Sequence, residues 1–311
     1  MARFIIKRTL LGLFTLFVIV TVTFFLIAGA PGDPIAAKVE QMPEKAQRVI
    51  RAKYGLDQPV FKRYIIYMKN LITTGDFGES IIYTGRSATD VIKANAPISV
   101  KINIIALLAQ LIIGVFLGLV AALNMGKSVD HITRVSVVLA ICIPSFVFAA
   151  LLQYFVAFKW RLVPVFGWGK PAHYVLPVLA YALPGIATYA KYMRSSTLSV
   201  INEDYIVTAK AKGATQGRVV RKHILRNAMI PIVTMLGPAI AGIFGSSFVI
   251  ENVFAIPGLG SYYVNAVRDN DYTMVLGLTV FFAILYVAAL ILVDVLYGVV
   301  DPRIKVAGGE D

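Results

Sequence analysis

Six long apolar runs constrain this chain more than any other feature. They occupy residues 10–28, 98–123, 135–158, 175–192, 229–250 and 274–300 of 311. A helix needs about 20 mostly apolar residues to cross the hydrocarbon of a bilayer. Inside lipid a helix satisfies every backbone N–H and C=O within its own segment. The expected fold class is therefore all-α, a polytopic membrane protein with six transmembrane helices. Only 15% of the residues are charged, against about 25% in an ordinary soluble domain, which excludes a soluble monomer. Pro177, Pro184 and Gly185 are expected to interrupt the fourth run, and Pro144, Pro231 and Pro238 can break or kink others.

The first run follows Arg3, Lys7 and Arg8 and ends at Ala28-Gly29-Ala30, which resembles a signal-peptide cleavage site. Its apolar stretch exceeds the usual signal core of about 7–15 residues. It is read as a retained span.

Charge sets the orientation. With the N-terminus inside, the inside segments hold fifteen basic residues: Arg3, Lys7, Arg8, Lys127, Arg134, Lys191, Arg194, Lys210, Lys212, Arg218, Arg221, Lys222, Arg226, Arg303 and Lys305. The short outside loops hold four, Lys159, Arg161, Lys170 and Arg268. Both termini are expected in the cytoplasm. The formal net charge of +13 then reflects cytoplasmic loops rather than a nucleic-acid surface.

The long outside segment, residues 31–97, carries helix punctuation. Pro43 sits where a helix begins and Gly55 where it ends. Pro59 starts a second helix, whose Phe61, Tyr64, Ile65, Met68, Leu71 and Ile72 form one apolar face. Gly75-Asp76-Phe77-Gly78 reads as a turn. Ser87 caps a third helix that Pro97 ends. The segment is either a cap packed on the spans or a docking surface for an outside partner.

The inside loop, residues 194–228, is the most informative. Asn202 is placed to cap a helix of about ten residues, about 15 Å and too short to span. Glu203 and Asp204 stand in its first turn, Lys210 and Lys212 in its last, and Gly213 at its stop. Acid first and base last complements the helix dipole. Ala209, Ala211, Gly213 and Ala214 are small enough to let another surface approach closely. Thr215 caps a second helix, in which Arg218, Lys222 and Arg226 line up at i, i+4 and i+8. Like charges at that spacing repel, and an anionic partner or lipid headgroups would relieve them.

Catalytic chemistry is not legible. His131, His173 and His223 are far apart and Cys142 is the single cysteine, so no metal-ligand set forms at helical spacing. Gly126-Lys127-Ser128 lacks the glycine that a phosphate loop needs at position 121, which is Ala. An ATP-driven transporter built on this chain would need ATPase subunits from other chains. Inside the spans the polar residues are Asn103, Gln110, Gln153, Ser246 and Ser247, the candidates for a translocation path. Asp294 lies near the inner end of the last run, where a structural pairing with a basic residue is the expected role. Gly114-x-x-x-Gly118 and the row Gly237, Ala241, Gly245 are close-packing faces.

Taken in order, several short pieces resemble a known family: Pro31-Gly32-Asp33-Pro34, Tyr54-Gly55-Leu56-Asp57-Gln58-Pro59, Gly75-Asp76-Phe77-Gly78-Glu79-Ser80, Arg194-Ser195-Ser196, Asp204-Tyr205, Thr208-Ala209-Lys210-Ala211-Lys212-Gly213, Arg226-Asn227-Ala228, Val253-Phe254-Ala255-Ile256-Pro257-Gly258-Leu259-Gly260 and Asp301-Pro302-Arg303. Their order and spacing resemble the inner-membrane permease subunits of binding-protein-dependent ABC importers, most closely the B-type subunit of the dipeptide, oligopeptide and nickel group. The family's cytoplasmic Glu-Ala-Ala, three residues, Gly signature reads Val207-Thr208-Ala209 and then Gly213 here, without the glutamate and first alanine.

The resemblance implies a type I ABC importer permease fold over residues 1–311: a first span to residue 30, an extracytoplasmic helical segment at 31–97, a five-helix core at 98–300 with the coupling loop at 194–228, and a cytoplasmic tail at 301–311. It implies that Glu203, Asp204, Tyr205, Thr208, Ala209, Lys210, Ala211, Lys212, Gly213 and Ala214 couple to an ATPase. Asp76, Glu79, Pro257 and Gly258 become candidate contacts for an extracytoplasmic peptide-binding protein. The implied partners are a second homologous permease chain, two cytoplasmic ATPase subunits that hold the ATP and Mg, the lipid bilayer and a peptide substrate. The chain itself would hold no cofactor, catalyse no reaction, and lie in the bacterial inner membrane. Alternatives are a permease for nickel or another small solute, a proton-driven transporter using Asp294, and a membrane enzyme or scaffold.

Overall fold

The protein is described from a computed structural model, which covers residues 2–30, 43–243 and 248–300. Ser246, Ser247, Gly245, the Pro31–Pro34 motif and the tail from Asp301 lie outside the described residues. Among the described residues the structure is helical, with one isolated β-bridge between Glu79 and Ser87.

The helices are α1 (Ala2–Ala28), α2 (Glu44–Lys53), α3 (Val60–Thr74), α4 (Ala88–Leu123), α5 (Ser128–Cys142), α6 (Ser145–Leu152), α7 (Ala172–Ile201), α8 (Asp204–Ala211), α9 (Gln216–Ala228), α10 (Ile230–Gly242), α11 (Phe248–Val253), α12 (Leu259–Arg268) and α13 (Tyr272–Val300). Helix α6 continues as a π-helical stretch, Gln153–Lys159, and α9 contains another, Val219–Ile224. Among the described residues three helices, α1, α4 and α13, are long and apolar enough to cross a membrane singly. Two bent pairs qualify as well: α5 with α6 and its extension, bent by 105°, and α9 with α10, bent by 46°. The sharper bend has a local cause. Pro144 holds Ile143 in the extended region, φ −81° and ψ 119°, as a residue before proline prefers.

The chain divides into two compact units, residues 1–99 with 257–311, and residues 100–256. In the first, α1 lies along α13. Gly12 admits the Ile291 side chain, and Val20 and Phe24 of α1 pack with Leu276 and Val280 of α13 and Tyr64 of α3. Arg8 Nη1 meets Asp294 Oδ2 at 3.0 Å, the pairing expected of that acid. The helix stops in residues 43–75 are as expected: Pro43 and Pro59 precede α2 and α3, and Gly75 ends α3 at φ +64°. The apolar face of α3 differs. Tyr64, Tyr67, Met68 and Leu71 pack inward, while Phe61, Ile65 and Ile72 are 66%, 50% and 74% exposed.

Ser87 caps α4, its Oγ accepting the Thr89 N–H at 3.0 Å. Pro97 does not end that helix. Ala88, Val91 and Ile92 are buried against Leu259, Met274 and Leu278. Packing on this scale holds the first turns helical and offsets the ~3 kcal/mol that an interior proline costs.

In the second unit α7 is the hub. It buries ten residues and runs through Pro177 and Pro184 without a break. It covers the run read as the fourth span, but among the described residues it does not join the helices long and apolar enough to cross a membrane. The neighbouring helix approaches here: Gln110 Nε2 donates to the Tyr181 carbonyl at 3.4 Å, one residue past the Ala180 carbonyl whose i+4 donor Pro184 removes. Gly114 and Gly118 lie against the same helix. A Cβ on Gly118 would overlap the Ala190 carbonyl, and one on Gly114 would sit 2.8 Å from the Ile186 carbonyl.

Candidate functional site

The short helix α8 is exposed along most of its length and held by a small apolar cluster. Ile206, Val219 and Ile224 are buried, with Leu119, Val200, Ala209 and Ala214 packed on them. Its start differs from the expectation. Asn202 ends α7, its Nδ2 donating to the Leu198 carbonyl at 3.0 Å, and Glu203 precedes α8 without a side-chain cap. Asp204 stands in the first turn and Lys210 in the last; Lys212 follows the final turn. Ala209 and Ala214 are half-buried in their own unit, so of the small residues Ala211 and Gly213 are the outward ones. Gly213 has φ +78° with no atom near where a Cβ would lie. Conformation, not space, demands glycine there.

Two apolar side chains face outward from α8, Tyr205 at 41% and Val207 at 61% exposure. Asn227 Nδ2 donates to Tyr205 Oη at 3.1 Å and so ties α8 to α9. Thr208 is exposed, its hydroxyl bonded back to the Asp204 carbonyl. Lys222 falls inside the π-helical turn of α9, so Arg218, Lys222 and Arg226 do not follow one α-helical row. All three are exposed. Just before this region, Arg194 of α7 donates from Nε and Nη2 to the two oxygens of Asp130, at 2.6 and 2.8 Å. Asp130 also accepts the Gly126 N–H at 3.1 Å. Sequence reading counted Arg194 among the basic residues and passed over Asp130. Its place in the first turn of α5 was the available signal.

The intramembrane amides share one habit. Asn103 Nδ2 donates to the Ile243 carbonyl just past α10, and Gln153 Nε2 donates to the Val253 carbonyl at the end of α11, at 3.2 Å, and to that of Val165 at 3.4 Å. With Gln110, each serves a carbonyl at a helix end or proline turn. Asn103 Oδ1 is buried without a partner.

In the first unit, Asp76 Oδ1 accepts the Gly78 N–H at 2.9 Å and Glu79 Oε1 the Gly85 N–H at 3.1 Å. Both acids therefore shape the turns of segment 75–87. Asp76 and Pro257 are exposed, Glu79 is half-buried and Gly258 is buried. The residue that organises this region is Asp271. It is buried, accepts the Ser80 hydroxyl, and takes the N–H groups of Ile81 and Met274 at 3.2 and 3.3 Å. It caps α13 and fastens residues 79–81 to it. An aspartate just before an apolar run is a cap signal that the sequence carries. Nearby, Tyr83 Oη donates to Asp269 at 2.7 Å, which raises the pKa of the phenol, and Arg86 stacks over the Tyr83 ring at 5.0 Å.

Comparison with known proteins gives this geometry a context. The dipeptide transport system permease protein DppB of Bacillus subtilis (strain 168) is 41% identical over 98% of each chain. The oligopeptide transport system permease protein OppB of Haemophilus influenzae is 39% identical over 98% of this chain and 100% of its own. The DppB of Lactococcus lactis subsp. cremoris is 34% identical with the same coverage. A solved structure described as an amino acid ABC transporter with histidines superposes with a TM-score of 0.52 at 16% identity, over 67% of this chain and 93% of its own, which bears on the fold alone. Residues 1–97 match the family described as the N-terminal part of a binding-protein-dependent transport system membrane component. With residues 114–306 matching its companion, this multi-pass membrane chain belongs to the family of binding-protein-dependent transport system inner membrane components.

Proposed function

We infer that the chain is the membrane subunit of an ATP-driven, binding-protein-dependent importer of peptides. The observation that carries this is the near full-length correspondence with permeases named for dipeptide and oligopeptide transport. The chain is a transport subunit and not itself an enzyme. It lies in the inner membrane with six spans and both termini in the cytoplasm. The Arg8–Asp294 pair supports the two chain ends lying on one side, because it brings an N-terminal base to the far end of the last helix. A second permease chain completes the pathway, and two ATPase subunits hold the ATP and Mg. Their groove takes the exposed surface of α8, with Tyr205 and Val207 as its apolar contacts and Gly213 setting the turn. A peptide-binding protein delivers cargo at the outer face, with Asp76 and Pro257 within its reach. The path runs past the amides of Asn103, Gln110 and Gln153.

Coupling needs a ligand that binds one conformation better than the other. ATP closure of the ATPases supplies that difference through α8. The test is uptake by the assembled complex in proteoliposomes. Tripeptide accumulation that requires both ATP and the binding protein is expected. Accumulation driven by a proton gradient without ATP, or nickel uptake with no peptide uptake, would overturn the reading. The ion pair on Asp294 already weighs against a proton relay there, since the acid has a cationic partner.

A further inference from the structure

A cleft of about 650 Å³ opens in the first unit where two membrane-crossing helices end. Its apolar floor is the last turn of α1, with Phe24 and Ile27, and the first turns of α13, with Leu276. One wall is the face of α3 that bears Lys62, Arg63 and Tyr67. The size falls within the range of about 300–1,000 Å³ typical of small-ligand sites.

The charges in the cleft are unequally committed. Among the described residues, its carboxylates already accept protein donors. Asp57 takes the Gln58 amide, Asp76 the Gly78 N–H and Glu79 the Gly85 N–H. Lys62 donates to the Gln58 side chain and not to an acid. Arg63 is half-buried, its guanidinium makes no hydrogen bond or ion pair among the described residues, and burial lowers its pKa from the ordinary arginine value. Tyr67 Oη is buried with no hydrogen-bond partner. A guanidinium in these surroundings stays charged, and its desolvation is uncompensated until an anion meets it.

The position says which anion. The floor is built from the ends of two apolar spans, so the cleft lies at the depth where hydrocarbon gives way to headgroups. Tyr54, Tyr67 and Tyr272 line it, the residue type that collects at that boundary. Beside it, α3 leaves Phe61, Ile65 and Ile72 exposed among the described residues. A helix with apolar residues on a second, exposed face suits the membrane surface. A ligand with an anionic head and an apolar body, supplied from the leaflet, matches these features together.

We propose that this cleft binds the headgroup of an anionic phospholipid, with its phosphate on the Arg63 guanidinium and its acyl chains leaving along α1 and α13. The proposal rests on the chain being embedded in a membrane and not on peptide as the cargo. Bound lipid would fasten α3 to the two spans.

The assembled complex, stripped of lipid in detergent, would be titrated with dioleoylphosphatidylglycerol and with dioleoylphosphatidylcholine, and bound lipid counted by native mass spectrometry. Preferential retention of the anionic lipid is expected, weakened about fivefold by Arg63→Gln and unchanged by Lys69→Gln, an equal charge loss on α3 outside the cleft. If Arg63→Gln fails to fold, Ile66→Trp fills the cleft from its rim and is expected to weaken retention likewise. Equal retention of the two lipids, equal loss in the Arg63 and Lys69 variants, or displacement of the lipid by a tripeptide or by inorganic phosphate would each overturn the proposal.

Discussion

Arg194 holds Asp130 through both arms of its guanidinium, at 2.6 and 2.8 Å, across 64 residues of chain. The carboxylate is 1% exposed. The fork geometry suits arginine and not lysine. Asp130→Asn should lower stability by about 3 kcal/mol, the low end for a broken buried pair, because Arg194 keeps some solvent. Arg194→Lys should cost less than Arg194→Ala. Thermal unfolding of the detergent-solubilised complex reads both. Equal melting of the lysine and alanine variants would mean that the two-armed contact contributes nothing.

Gly213 separates conformational from steric demand. Its φ of +78° disfavours a side chain, though the space is open. Gly213→Asn should be mild, since asparagine tolerates this region. Gly213→Leu should strain the turn by about 1–2 kcal/mol and abolish peptide uptake while leaving membrane insertion intact. ATP-dependent uptake assays on correctly inserted protein decide it. Normal uptake by the leucine variant would remove Gly213 from the coupling surface.

Gly277 makes the opposite case. A Cβ there would overlap the Phe77 carbonyl and stand 3.0 Å from the Ala88 Cβ. Backbone cannot retreat as a side chain can, so Gly277→Ala should destabilise by about 1–3 kcal/mol. At Gly12 the new Cβ meets chiefly the end of the Ile291 side chain, so Gly12→Ala should be milder. Matched melting curves compare the two; a larger loss at Gly12 would contradict the packing described.

Gln110 and Pro184 should be coupled. The amide serves the Tyr181 carbonyl, one residue past the Ala180 carbonyl whose i+4 donor the proline removes. Gln110→Leu should cost about 0.6 kcal/mol, a typical value for such bonds within membranes, and less in a Pro184→Ala background. A double-mutant cycle measures the difference. Additive losses would break the link.

Asp294→Asn tests the proton alternative. An ion pair with this much solvent contributes about 0–1 kcal/mol, so ATP-driven uptake should persist. Abolished uptake by a well-folded variant would revive Asp294 as a relay.

The apolar runs were legible in the sequence because lipid leaves the backbone few options, and helix is the local one. The helices at 44–53 and 60–74 were legible because proline and glycine act within a few residues of themselves. Tertiary structure decided where breakers fail. Pro97 is overridden by the burial of Ala88, Val91 and Ile92. The Tyr181 carbonyl near Pro184 receives a donor from Gln110, 71 residues away in the chain. Pro144 does break its helix and turns it by 105°. It also decided which apolar residues of α3 pack inward and which charges meet. Arg194 with Asp130, and Asp271 with Ser80, are partners far apart in the chain. Local spacing carries no record of such distant pairs, because a side chain's partner is set by where other helices lie.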